Sequence, residues 1–542
     1  MAQPVSRRNL LLGTAGLAVG TAATGGMAWS ALRSNAPSGP DRVMASAAEV
    51  AETERARRAR GTGRTVRAAL TAEPTEVDLG GRIVRTWAYN GQVPGPLVRC
   101  TAGDRLEVDL HNRLAEPTTV HWHGVRIRND MDGVPHLTQD PVRPGSRTRY
   151  SFTAPDPGTY WLHPHVGLQR EHGLHAPLII DDPGERGDYD VEFVVVLDDW
   201  LDGAADSPER VLELLRPGDM HARYRTPVQA GRVEDLSASW QYDVPAELAD
   251  PPPGITPVPA NSRMASSVEY PFYLLNGRLP TDPQTFRGKP GQRARIRLIN
   301  AAGATAFRVA LGGHRMTVTH TDGFPVEPIA VDALQVASGE RYDVTVELGD
   351  GVFPLVGVAE GKGAQAFGLI RTASGAAPRP SVQPAELGGE LLRLADLRAA
   401  PTARAGTGTP RTSHSLYLTG DMYSFSWRIN AQNYDHHRPF AGITPLDVRA
   451  GEVVRLEMIN QTHMYHPMHL HGHTFTVRAI ADTGGRSSAR LPEGTRKDTV
   501  MVGPGQRLTA DFTADNPGQW LVHCHNAYHM ATGMAAMLSY LR

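Results

Sequence analysis

Three observations predict an all-β fold divided among several domains. Glycine and proline are abundant (55 and 42 residues) while aromatics are few, apolar and polar residues alternate over short runs, and one such run recurs three times. At 542 residues the chain exceeds what a single core supports, so two to four domains are expected. A formal charge of −2 leaves no electrostatic footprint for nucleic acid or an anionic membrane surface.

From the N-terminus, Arg7 and Arg8 precede a weakly apolar stretch rich in Ala, Gly and Thr. Residues 1–30 resemble a twin-arginine export signal, and their small and hydroxylated side chains make a poor membrane anchor. The mature protein is therefore expected outside the cytoplasm (secreted, periplasmic or in the cell envelope), with no stable membrane span. This route carries folded proteins, which suits a chain that takes up a cofactor first. Residues 31–65, rich in Ala, Arg, Ser and Pro, read as a solvated linker.

The repeats come next. "TAGDRLEVDLHNRL" (101–114), "KPGQRARIRLINAA" (289–302) and "RAGEVVRLEMINQT" (449–462) share a Gly turn, an alternating strand and a terminal Asn. "SFTAPDPGTYWLHPH" (151–165) and "DFTADNPGQWLVHCH" (511–525) also match, whereas the middle copy, "SGERYDVTVEL" (338–348), lacks the histidines. Three related β domains follow, near 66–183, 188–376 and 410–542. The second carries a Pro-rich insertion of about 200–268, and a Pro- and Ala-rich connection of about 376–410 precedes the third.

Histidine doublets lie only in the first and third domains: His121 and His123 in "HWHG", His163 and His165 in "WLHPH", then "HPMHLHGH" (466–473) and "HCHNAYHMATGM" (523–534). On a strand, residues two apart share a face, so each doublet presents paired imidazoles, which suit zinc, copper, iron or nickel. A structural zinc site closes at four ligands, too few for this set. In the last motif His523 and His525 share one face while Cys524 takes the other, so one strand serves two sites. Cys524, His529 and Met534, with His466, make the ligand set of an electron-transfer copper centre. A thiolate between histidines is a better reading of Cys524 than a disulfide with Cys100, which is left as a buried free thiol.

On these motifs, in their order and spacing, the chain resembles the multicopper oxidases, specifically three-domain bacterial enzymes of the laccase and cuprous-oxidase type, along all three domains. The resemblance implies cupredoxin-like Greek-key domains and four coppers. His466, Cys524, His529 and Met534 would hold the type 1 ion. His121 and His469 would hold type 2, and His123, His163, His165, His471, His523 and His525 the type 3 pair. It also implies a reaction: one-electron oxidation of phenols, aromatic amines or metal ions such as Cu(I), coupled to reduction of O2 to water, with Cys524 on the electron path. Sequestration of copper without turnover is the alternative class, and nitrite reduction a third, usually built from two domains per chain. A complete ligand set in one chain leads to the expectation of a monomer.

Asp132 in "NDMDGVP" matches the family's acidic position beside the type 2 copper, where it would relay protons. A second carboxylate, just before the histidine that corresponds to His529, is absent here, the stretch being Asn526, Ala527 and Tyr528. In "RINAQNYDHHRPF", Asp435 and His437 align with the segment on which cuprous oxidases catch Cu(I), His437 standing in place of Met. The family's Met-rich segment is missing, which keeps phenols open as substrates. His463 and His473 are read as neighbours of the ligands rather than ligands. His172 and His175 are read as surface or core residues, and Met464, Met468 and Met530 as packing around the coppers.

Overall fold

The computed structural model describes residues 41–542 except 186, 217–223, 226–266, 405–407, 423, 485–487 and 492–493. The export-signal reading of residues 1–30 and most of the 200–268 insertion lie outside the described residues. The described part of that insertion includes the helix Pro208–Leu215, capped by the Ser207 side chain. Among the described residues no helix is long and apolar enough to cross a membrane.

The structure is mostly strand, arranged as paired sheets. One pair uses strands between residues 65 and 181, the next between 191 and 371, the last between 412 and 541. In each, the strand of the first repeat lies inside a sheet, parallel to one strand and antiparallel to another. Arg105–Asn112 runs parallel to Thr65–Asp78 and antiparallel to Arg147–Thr153. Arg293–Asn300 pairs likewise with Val191–Trp200 and Arg341–Glu347, and Val453–Asn460 with Thr412–Asp421 and Gln506–Thr513. Alternation explains the placement: Leu106, Val108 and Leu110 are buried while Asp109 is exposed. The middle copy departs from this, because Arg295 and Arg297 are buried and paired with Asp343.

The terminal Asn of each repeat has one task in all three copies. Asn112, Asn300 and Asn460 are fully buried, and each amide nitrogen donates to two backbone carbonyls beyond the strand: Glu116 and Val142, Thr305 and Val336, Met464 and Val502. Each amide oxygen accepts from the backbone N–H two residues on, at 2.9 Å. The asparagine thus satisfies backbone groups where the strand ends and the chain crosses to the other sheet.

The linker reading of residues 31–65 needs correction over its described part. Ala48–Ala59 is a helix, and Val43 and Val50 are buried. Val43 N donates to the Tyr540 carbonyl at 2.9 Å, tying the segment to the final strand. Glu54, 8% exposed, accepts from Thr153 N at 2.9 Å and from its hydroxyl at 2.8 Å. Val50 and the buried Glu54 carboxylate dock the helix, and Val43 the residues before it, although the composition is mostly polar. Glu54→Ala is expected to cost about 1–3 kcal/mol by leaving the Thr153 donors unpaired, read as a lower urea midpoint. An unchanged midpoint would mean that the helix is only loosely attached.

Candidate metal centre

The histidines meet where the first and third domains face each other. His121–His123 pairs with Gly158–His163, and His466–Leu470 with Gln519–Cys524, so each sheet carries two neighbouring ligand strands. The rings of His121 and His471 stack at 3.8 Å between centroids, and those of His123 and His469 at 3.9 Å. Donor atoms converge in groups: His121, His123 and His469; His121, His165 and His471; His123, His163 and His525; His469, His471 and His523. All eight histidines are buried.

Hydrogen bonds assign which nitrogen each ring keeps free. His121 Nδ1–H donates to the Asp132 carbonyl, His163 Nδ1–H to the Pro164 carbonyl and His523 Nδ1–H to the Cys524 carbonyl, each at 2.9 Å. His471 Nδ1–H donates to the Asp132 carboxylate at 2.9 Å, and His469 Nδ1–H to the Asp498 carbonyl at 2.9 Å. His525 Nδ1 lies 3.0 Å from Ser338 Oγ, whose hydroxyl donates to the Ala302 carbonyl at 2.5 Å, and 2.8 Å from the donor Arg170 Nη1. His123 is reversed, its Nε2–H donating to Thr499 Oγ1 at 3.1 Å.

The nitrogens left over are buried without partners in His121 (Nε2), His123 (Nδ1), His165 (Nε2) and His469 (Nε2). The Nε2 atoms of His471 and His523 face each other at 3.0 Å, and those of His163 and His525 at 3.4 Å. Convergent lone pairs of this kind are costly alone and are satisfied together by cations, so the donor set fits metal ions with imidazole preference.

The second cluster is smaller. Cys524 Sγ lies 3.6 Å from both His466 Nδ1 and His529 Nδ1, which are 3.2 Å apart. His466 Nε2–H donates to Thr462 Oγ1 at 2.7 Å. Met534 is fully buried, and its backbone bonds Cys524 N at 3.0 Å and the His529 carbonyl at 3.1 Å. Asn526 caps the short helix Ala527–Ala531 by accepting from Tyr528 N and His529 N, both at 3.1 Å, which places His529. A cap is what that position holds instead of a relay carboxylate. Burial pushes the Cys524 thiol up to about 12, against a backbone N–H from Asn526, so the thiolate forms when a cation is bound beside it.

Asp132 is fully buried; its Oδ1 lies 3.2 Å from His121 Nδ1 while its Oδ2 bonds His471. Gly133 follows at φ +79°, and a side chain there would strike the Val120 carbonyl, so the Asp-Gly pair fits only this tight path. His473 bonds Tyr540 and the His471 carbonyl, and His463 is exposed, so neither joins a donor group. His172 pairs with Asp202 and Glu209, and His175 is buried 3.6 Å from Asp198. Cys100 is a buried free thiol. Asp435 accepts from His437 N at 2.9 Å and Arg438 Nε at 3.0 Å, while the exposed His437 ring lies 6.4 Å from that of His136.

Sequence reasoning missed Arg170, Ser338, Arg341, Asp498 and Thr499. Arg170 Nη1 lies 2.8 and 3.1 Å from the two ring nitrogens of His525, and its Nη2 donates to the His525 carbonyl at 3.0 Å. Only proximity in sequence to "WLHPH" could have hinted at Arg170. The others act across separations of more than 150 residues, and Asp498 and Thr499 sit in a stretch without histidine or cysteine.

Three cupredoxin-like domains enclosing a thiolate site and an eight-histidine cluster define the class: a copper oxidoreductase that uses oxygen. Profiles described as multicopper oxidase match residues 71–185, 252–367 and 408–541. The multicopper oxidase MmcO of Mycobacterium tuberculosis is 44% identical over 524 residues, covering 96% of each chain. A copper resistance protein A homolog of Pseudomonas syringae pv. tomato is 29% identical, covering 86% of this chain and 90% of its own. Among solved structures, the laccase from Botrytis aclada superposes with a TM-score of 0.68 at 26% identity, covering 88% of each chain. The chain belongs to the multicopper oxidase family. It is an oxidoreductase that uses oxygen.

Burial holds His466 down to about 3, and burial followed by neighbouring charge holds His163, His165, His471, His523, His525 and His529 well below 6.5. The unfolded chain therefore binds more protons than the folded one below about pH 6.5, and stability rises with pH through that window. Metal-free protein is expected to lose melting temperature steadily from about pH 7 to about pH 4, and copper-loaded protein to melt higher by a nearly constant margin, because copper meets nitrogens that already carry no proton. A copper stabilisation that shrank steeply between about pH 7 and about pH 5 would show that the folded rings carry protons there and would contradict the assignment of these nitrogens.

Proposed function

We propose that His466, Cys524, His529 and Met534 hold one type 1 copper, that His121 and His469 hold a type 2 copper, and that the remaining six cluster histidines hold a type 3 pair. Copper bound at these positions supplies one-electron oxidation of substrate and four-electron reduction of O2 to water. The observation that carries the reading is the strand Gln519–Cys524 with the residue after it. Cys524 stands with His466 and His529 on one side while its sequence neighbours His523 and His525 stand in the histidine cluster on the other. Each is one peptide unit from the thiolate, so the backbone itself is the connection.

Asp132 accepts from ligand N–H groups of two domains and is the acid proposed to hold and pass protons there. A cavity of about 40 Å³, lined by His163, His165, Arg170, His436 and His523, has room for about one water or a diatomic molecule beside the cluster. Electron uptake is proposed at His437 together with His136, with Asp435 fixing the loop through its bonds to His437 N and Arg438. The two exposed imidazoles, with ring centres 6.4 Å apart, are near enough to share a soft cation, which supports Cu(I) as a substrate beside phenols. The neighbouring His436 donates to the Met530 carbonyl at 3.1 Å, adjacent to His529. The twin-arginine reading of residues 1–30 makes an extracytoplasmic compartment the proposed place of action, with the protein a monomer.

Copper-loaded protein is expected to consume O2 with a methoxyphenol and with Cu(I), and Cys524→Ser to abolish both. Uptake that survives this substitution would sink the proposed path. His136→Ala and His437→Ala are each expected to lower kcat/KM for Cu(I) about tenfold, equivalent to about 1.4 kcal/mol, with the phenol rate little changed. Equal loss on both substrates would place electron uptake elsewhere.

A further inference from the structure

The middle domain has none of the ligand histidines, yet it reaches the cluster. Arg341, at the start of the strand Arg341–Glu347, is fully buried and grips Asp498 of the third domain by two bonds of 2.7 Å. Its Nε donates to the Thr159 carbonyl of the first domain at 3.0 Å, so one guanidinium joins all three domains. Asp322, also in the middle domain, accepts from Asp498 N at 3.2 Å and Thr499 N at 3.1 Å. Backbone and side chains of residues 498 and 499 are thus held from outside their own domain.

Thr499 Oγ1 lies 2.9 Å from Asp498 Oδ1, 3.1 Å from His123 Nε2 and 3.0 Å from His469 Nδ1. A hydroxyl has one hydrogen and two lone pairs. Bidentate pairing with Arg341 leaves Asp498 as an acceptor only, so the hydroxyl hydrogen goes to Asp498. Both lone pairs then remain for ring N–H groups: His123 must carry its proton on Nε2, and the Nδ1–H of His469 is shared between Thr499 Oγ1 and the Asp498 carbonyl. The result is the opposite ring polarity of these two stacked histidines, and it accounts for the unpartnered His123 Nδ1 and His469 Nε2.

We infer that Thr499, set by Asp498 and by Arg341 of the middle domain, is the positioning residue that fixes the reversed ring of His123 and orients His469. The inference rests on the copper assignment proposed above. It gives the domain without ligands a role at the type 2 position and leaves the thiolate site untouched.

The test compares copper-loaded wild type with Thr499→Val, which keeps the shape without the hydroxyl, and Thr499→Ser, which keeps the hydroxyl. Electron paramagnetic resonance, copper content after dialysis against a chelator, and the blue thiolate absorption are measured. Thr499→Val is expected to hold type 2 copper at least tenfold more weakly with an altered type 2 signal and an unchanged blue band, and Thr499→Ser to match wild type. A wild-type type 2 signal and copper content in Thr499→Val, or identical defects in Val and Ser variants, would overturn the inference. Should the Val variant melt before loading, Arg341→Lys, which keeps charge but not the two-point grip, is expected to alter the type 2 signal selectively, and an unaltered signal would overturn the inference. Absence of both copper signatures in wild type would instead overturn the copper assignment itself.

Discussion

A buried imidazole has two nitrogens and, when neutral, one hydrogen, and this arithmetic governs the centre. Each ring whose N–H is given to a carbonyl, carboxylate or hydroxyl is left with one bare nitrogen and no water to satisfy it. The acceptors come from Asp132, Pro164, Asp498, Thr499 and Cys524, so the bare nitrogens of these rings point inward by construction. Burial keeps most of these rings neutral, and neutrality is what a metal ligand needs. Fold, tautomer and metal preference are in this way one constraint seen at three scales.

The repeated domains explain how such a centre can lie between distant parts of a chain. Corresponding strands of the first and third domains bring His121 and His123 against His469 and His471 in two stacked pairs. Strand alternation then separates Cys524 from His523 and His525 without any break in the chain. The middle domain kept the β framework, down to the buried Asn300 that matches Asn112 and Asn460, and supplies charge rather than ligands. Its Arg341–Asp498 pair is buried, an arrangement whose value lies in geometry more than in net stability.

Local pattern was legible in the sequence, and long-range satisfaction was not. The histidine doublets could be read because residues two apart on a strand share a face, and the strand repeats because alternation and a terminal Asn recur. The helix Ala48–Ala59 escaped notice because its composition is polar and only a few residues, Val50 and Glu54 among them, anchor it. Thr499 and Arg341 carry no metal-binding signature, and their roles appear only once three domains are packed together. Asp435 could be placed near the thiolate site by alignment, but its commitment to Arg438 and to the His437 backbone is a property of the folded loop. The absent carboxylate at 526–528 was visible as a gap, and the structure fills it with the helix cap Asn526.

The central claim is that one strand joins two metal sites of different chemistry. Anomalous diffraction at the copper edge from crystals of the loaded protein tests it most directly. One peak is expected among His466, Cys524 and His529 and three within the shell of eight histidines. Copper at only one of the two sites, or bound away from both, would contradict it.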